Sequence, residues 1–394
     1  MLGCGDVYRP VESAINPVGP AAQPQKYAIV VSNPGPNLPG LLTIVDFSGD
    51  TVLINANLGK VPQYLELAEG GTTGYVLNGD GTLNSFSIST SLQTKDVLTS
   101  TLLAGALPNT IFSSNLGLYI TEPGRTAVAD LQGTPPSLKQ ELPVGSNPVY
   151  IAGQPNSARA YAISQGSNTV SSIQIINNTI SNVITVGKSP VYGVMSLDTK
   201  RTFIMNQGDG TVSVINSQTN LLDATHPTLT VGNGPVYADM YNVGNVLVVA
   251  NSQSNSVSII NVPLCNNTAQ PTNIACDPNN LQDAANFGQT TGTVTVGNNP
   301  VGVAVLQDGT RAYVANQADG TVSVVNLTNN TVVKTIPVSG HPTFIVATTG
   351  TPTGKVYVTS PDSTTLTVIS TESDTVTASV PLQGLGVMVR MTQQ

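Results

Sequence analysis

The chain has 394 residues, of which 9% are charged, and its 14 basic against 22 acidic residues leave a formal net charge of −8. An average protein is roughly a quarter charged, so solubility here rests on Ser, Thr, Asn and Gly, and binding to nucleic acid through released counterions has nothing to work with. The longest apolar runs are about the length of NVLVVA (245–250), far below the roughly eighteen residues that a membrane-crossing helix needs.

Residues 1–26 carry no hydrophobic period and read as a flexible leader, Pro-rich from Pro10 to Pro24. Near its start Cys4 sits in MLGCGD, after Leu2 and Gly3. A small residue before a Cys resembles the end of a bacterial lipoprotein signal, so lipidation at Cys4 is expected, against the plainer alternative of a free thiol. The signal is incomplete, because no charged and apolar stretch precedes the cysteine.

From 27 onward one phrase recurs. It is clearest as RAYVANQADGTVSVVN at 311–326 and returns as RTFIMNQGDGTVSVIN at 201–216, NVLVVANSQSNSVSIIN at 245–261, RAYAISQGSNTVSSIQI at 159–175 and GYVLNGDGTLNSFSI at 74–88. Between phrases stands a Gly followed two or three residues later by Pro, at Pro62, Pro108, Pro148, Pro190, Pro235, Pro300 and Pro342, giving periods of 46, 40, 42, 45, 65 and 42 residues. Within a period, alternating Val, Ile, Thr and Tyr mark strands. The unit 300–340 predicts four of them: a at 301–306, b at 311–316, c at 321–326 and d at 331–338. Asp308-Gly309, Asp319-Gly320 and Asn329-Asn330 supply the tight turns. A period of 40 to 45 residues with four antiparallel strands describes a propeller blade.

Strand b occurs at 27–33, 74–78, 117–122, 159–164, 201–206, 245–251, 311–316 and 355–360, which predicts eight blades; seven would require one unit, 108–145 being the weakest, to be misread. The first strand b lacks a strand a before it, and LGVMVRM (385–391) is a strand a with nothing after it. Pairing the two closes the ring, so 27–394 is expected to be one all-β propeller. The swollen period is an insertion at 263–289, within the blade 235–297, that holds Cys265 and Cys276. Two cysteines bracketing such a loop read first as a disulfide, since zinc would require two more ligands nearby.

The RAYVAN and DGTVSVVN cores, with their VGNNP-type connectors, resemble the YVTN-family β-propeller repeats of bacterial and archaeal surface and exported proteins. The resemblance spans about 27–391. It implies a secreted or surface-anchored propeller, in the periplasm or on the cell surface, with recognition duties. No oligomeric state follows from it.

Catalytic and metal constellations are not apparent. Asp80, Asp209, Asp308 and Asp319 each stand singly in a turn, where an oxygen cage for calcium needs several carboxylates. The only histidines are His226 and His341, too few for a copper or zinc centre, and no cofactor is expected. His341 is placed to reach a channel mouth, or else to be a solvated loop imidazole. Two residues after the junction proline stand Tyr64, Tyr150, Tyr192, Tyr237 and Phe344, with Thr110 and Gly302 at the other such positions. Equivalent positions lie on a circle around the axis, so these rings form either a binding surface at the channel mouth or filler between blades. The function expected is a non-catalytic binding or scaffold module for a glycan, a peptide or an envelope protein. The alternatives are a lactonase-like hydrolase or lyase and a surface-layer component.

Overall fold

The computed structural model describes residues 26–240, 246–263, 284–348 and 354–392. It contains eight antiparallel sheets, six of them with four strands in sequential order, one with a divided outer strand, the fifth, and one, the first, that takes its innermost strand from the end of the chain. The blade that begins the chain is completed by its end: Leu385–Met391 lies inside Tyr27–Asn33, with Val30 opposite Val389 and Ile29 opposite Arg390. The expected eight-bladed closed ring is the fold observed. The 108–145 unit is a full blade, built from Ile111–Ser113, Leu118–Glu122, Ala127–Gln132 and Ser137–Pro143.

The recurring phrase has a physical reason at each letter. In the blade 300–337 the Asn ending strand b, Asn316, is fully buried and donates from its side-chain amide to Thr321 (3.1 Å) and Ser323 (2.9 Å) of strand c. Asn206 and Asn251 repeat the same pair of bonds in their blades. The connector glycine lies directly against this amide: a Cβ on Gly297 would stand 2.7 Å from Asn316 Cγ, and on Gly187 2.6 Å from Asn206 Cγ. Only a residue without a side chain lets the connector approach so closely. The turn aspartates are also accounted for. Asp80, Asp209 and Asp319 accept the backbone N–H of Lys60, Lys188 and Asn298 in the connectors at 2.7–2.9 Å. They tie the start of each strand a to the b–c turn of its own blade.

Between blades the core is a series of apolar layers, with the fully buried Tyr119, Tyr161, Tyr313 and Tyr357 among its largest side chains. Two features depart from the regular pattern. A helix, Ile88–Thr94, interrupts the c–d connection of the second blade. The outer strand of the fifth is split into Leu221–Leu222 and Thr228–Thr230, around a buried pair in which Arg201 lies 3.2 Å from Asp223. Phe287, at the end of the insertion, packs beside this pair, 6.0 Å from the guanidinium and 5.4 Å from the His226 ring. Cys4, Cys265, Cys276 and most of the insertion lie outside the described residues.

Candidate functional site at the channel mouth

Every innermost strand starts at a connector and runs the same way along the axis, so residues at one repeat position form a ring. The position two after the junction proline carries Tyr64, Thr110, Tyr150, Tyr192, Tyr237, Gly302 and Phe344, and in the closing strand Met388, which pairs with Val31 as Tyr150 does with Ile163. Tyr150, Tyr192 and Tyr237, in three consecutive blades, are partly exposed and pack ring on ring, with centroids 4.4 Å and 4.3 Å apart and interplanar angles of 43° and 25°. Tyr64 is 9% exposed. Its hydroxyl neighbours that of Tyr150, two blades on, and burial, reinforced by this neighbour, pushes the Tyr64 phenol well above its ordinary range.

Two residues further along each strand is a second ring, and it holds the ionisable groups: Glu66, Asp239 and Arg390. Sequence reasoning missed all three. Arg390, from the closing strand, reaches the two blades that flank its own. Its guanidinium stacks 4.8 Å from the Phe344 ring, donates from Nη2 to the Tyr64 hydroxyl at 3.3 Å and from Nε to the Leu65 carbonyl at 3.4 Å, and lies 3.5 Å from Glu66 Oε2. Removal from water pushes the Glu66 carboxyl up to about 7, against the pull of Arg390. Asp239 is raised to about 6 by the same desolvation, although its oxygens accept the N–H groups of Met240 (2.9 Å) and Val305 (2.8 Å) and Arg390 favours its charge. Asp239 therefore also fastens its blade to the next.

Above these rings a cavity of about 350 Å³ opens where the innermost strands end. Its lining includes Tyr64, Glu66, Tyr150, Tyr192 and Arg390, with Gln154, Met195 and Thr392 toward the rim. The turn Glu69–Gly71 forms one wall and is fitted closely to the closing strand: Gly71 has φ +63, and a Cβ there would fall 1.9 Å from the Thr392 carbonyl oxygen.

The structure thus gathers Tyr64, Tyr150, Tyr192, Tyr237 and Phe344 around one guanidinium. His341 is placed elsewhere. It belongs to a connector, at the opposite end of the strands from the cavity, where it is largely exposed and its backbone and ring both bond Asp362 (2.8 and 2.5 Å). Among the described residues no group of three or more His, Cys, Asp and Glu side chains is placed to hold a metal ion, and no helix is long and apolar enough to cross a membrane.

No protein-family model matches the chain, and no curated protein does. Solved structures do. Dihydro-heme d1 dehydrogenase NirN in complex with DHE superposes with a TM-score of 0.72 at 12% identity, over 94% of this chain and 76% of that one. Apo AztD from Citrobacter koseri gives 0.60 at 12%, over 93% and 97%. A protein of Bacteroides fragilis NCTC 9343, provisionally named a 6-phosphogluconolactonase, gives 0.60 at 12%, over 95% and 99%. The likeness is of fold alone.

Proposed function

We propose that this chain is an exported propeller of the YVTN-repeat type that works as a binding module, taking part of a glycan or peptide partner into the cavity at the channel mouth. The observation that carries the reading is the convergence of partly exposed stacked tyrosines with one guanidinium on a cavity of about 350 Å³. Aromatic faces bury ring or chain carbons at low entropic cost, while Arg390, Glu66 and the phenols fix polar groups. In this reading Cys4 anchors the leader to a membrane through lipid, and Cys265 and Cys276 close the insertion. A glycan and peptide screen of the mature protein tests the module. A ligand found there is expected to lose affinity by a few kcal/mol when Tyr150, Tyr192 and Tyr237 are all replaced by Ala. An unchanged affinity in a folded triple variant excludes the cavity.

A second reading, a hydrolase or lyase, is favoured by one observation: a carboxyl held near pH 7 at a cavity wall suits a general acid or base. Turnover of lactones or glycosides that disappears in Glu66→Gln would establish it.

A further inference from the structure

Several ion pairs among the described residues are short and saturated, and the guanidinium that lines the cavity differs from them. Arg311 Nη1 lies 2.7 Å from both oxygens of Asp374, with Nη2 on the Thr371 carbonyl at 2.6 Å. Lys355 reaches Asp50 at 2.7 Å and the Phe47 carbonyl at 2.6 Å. These are the lengths of charge-assisted bonds. Every polar contact of Arg390 is instead 3.3–3.5 Å long, and none of the described residues accepts a bond from its Nη1. The side chain is 18% exposed and lines the cavity. A planar fork held by the Phe344 ring, with loose partners on one side and a donor left over, is a preformed seat for a bidentate anion.

We infer that the ligand of this cavity carries a carboxylate, seated on Arg390 and attached to a body that lies along Tyr150 and Tyr192. The inference rests on the proposed binding function and names the chemistry of its ligand. The objection is that Glu66 already stands beside the guanidinium and would repel an anion. Its raised pKa answers this: Glu66 accepts a proton at little cost near neutrality, and protonated it becomes a donor to the incoming carboxylate. The groups facing it are Arg390, Tyr64, Tyr150 and, across the strand pair, Tyr75, and each of the three phenols is itself held above its ordinary range. None of them competes for that proton. Asp239, which shares the guanidinium's field, keeps both oxygens on backbone N–H groups. Ligand binding is therefore coupled to proton uptake at Glu66, and affinity for an acid falls as pH rises through about 7.

Titration calorimetry with D-glucuronate, its methyl ester and a tyrosine-terminated dipeptide with free or amidated carboxyl decides the matter. The acid is expected to bind at least about tenfold more tightly than the ester at pH about 6, as loss of a charge-assisted bond implies. That advantage should shrink toward pH about 8 in the parent and stay level in Glu66→Gln. Arg390→Lys keeps the charge but loses the fork, and the acid should again weaken by about tenfold or more. Equal binding of acid and ester overturns the carboxylate and leaves the binding module standing. Binding of the free dipeptide alone supports the carboxylate and removes the sugar. Failure of all four probes to bind overturns the inference. Should Arg390→Lys not fold, the acid and ester comparison still decides.

Discussion

Ring closure is the strongest mechanical claim that the fold makes, and truncation at Gly384 tests it. The deletion removes Leu385–Met391, in which Met388, Val389 and Met391 are 6%, 0% and 4% exposed. At about 1.5–3 kcal/mol for each buried side chain, their loss alone costs about 5–9 kcal/mol. It also strips the inner face of Tyr27–Asn33 of its hydrogen-bonded partner. Domain stabilities are about 5–15 kcal/mol in total, so the truncated chain is expected to lose cooperative unfolding altogether. A graded version is Val389→Ala, which removes two carbons from a fully buried position and should cost about 1.6 kcal/mol before any cavity contribution. Urea titration followed by far-ultraviolet circular dichroism reads both. A truncated protein with the parent's midpoint and steepness would refute closure as a source of stability, whatever the pairing observed.

Asp223→Asn leaves the buried Arg201 without its carboxylate and is expected to cost about 3–5 kcal/mol, read as a lower urea midpoint; an unchanged midpoint would show that other partners suffice. Gly297→Ala places a methyl 2.7 Å from the Asn316 amide, and overpacking of this kind costs about 1–3 kcal/mol; a neutral result would mean that the connector moves aside freely. Because the folded state raises the Glu66 carboxyl from 4.5 to about 7, it binds more protons than the unfolded chain between those values. Stability should therefore fall by about 3 kcal/mol as pH climbs from about 4.5 through 7 and then level off. Glu66→Gln should remove that part of the slope, and identical slopes in the two proteins would contradict it. Unreduced peptide mapping of protein recovered from its native cells should find Cys265 and Cys276 joined; two freely alkylated thiols there would rule the bridge out.

The fold was legible because its signals are redundant. Gly297, Asn316, Thr321, Ser323 and Asp319 belong to one network that returns in the blades of Asn206 and Asn251, so each recurrence reports the same geometry. The helix Ile88–Thr94 and the split strand at 221–230 were illegible for the converse reason, since each occurs in one blade and a helix of seven residues is too short to show a period. In the site, the tyrosine ring could be read because the junction prolines count it out. Glu66 and Asp239 stand two residues beyond two of those tyrosines, and in a chain with 9% charge that was the available signal. Arg390 offered less, because Gly386 occupies the register of the junction proline in the closing strand and its blade is assembled from both ends of the chain. His341 lies in a connector, at the strand starts, whereas the cavity opens where other innermost strands end.

The two rings differ in what they owe to the rest of the molecule. At the second ring, Ala152, Val194, Ala304 and Val346 occupy in other blades the place that Glu66, Asp239 and Arg390 occupy in theirs, while the Asn-to-Thr or Ser clasp recurs in the blades of Asn206, Asn251 and Asn316. Ala152, Ala304 and Val346 are buried in the apolar layers between blades, so this column serves as packing in some blades and carries charge in others. The ring therefore behaves as an eight-place register in which charge is entered at three places on a repeated frame.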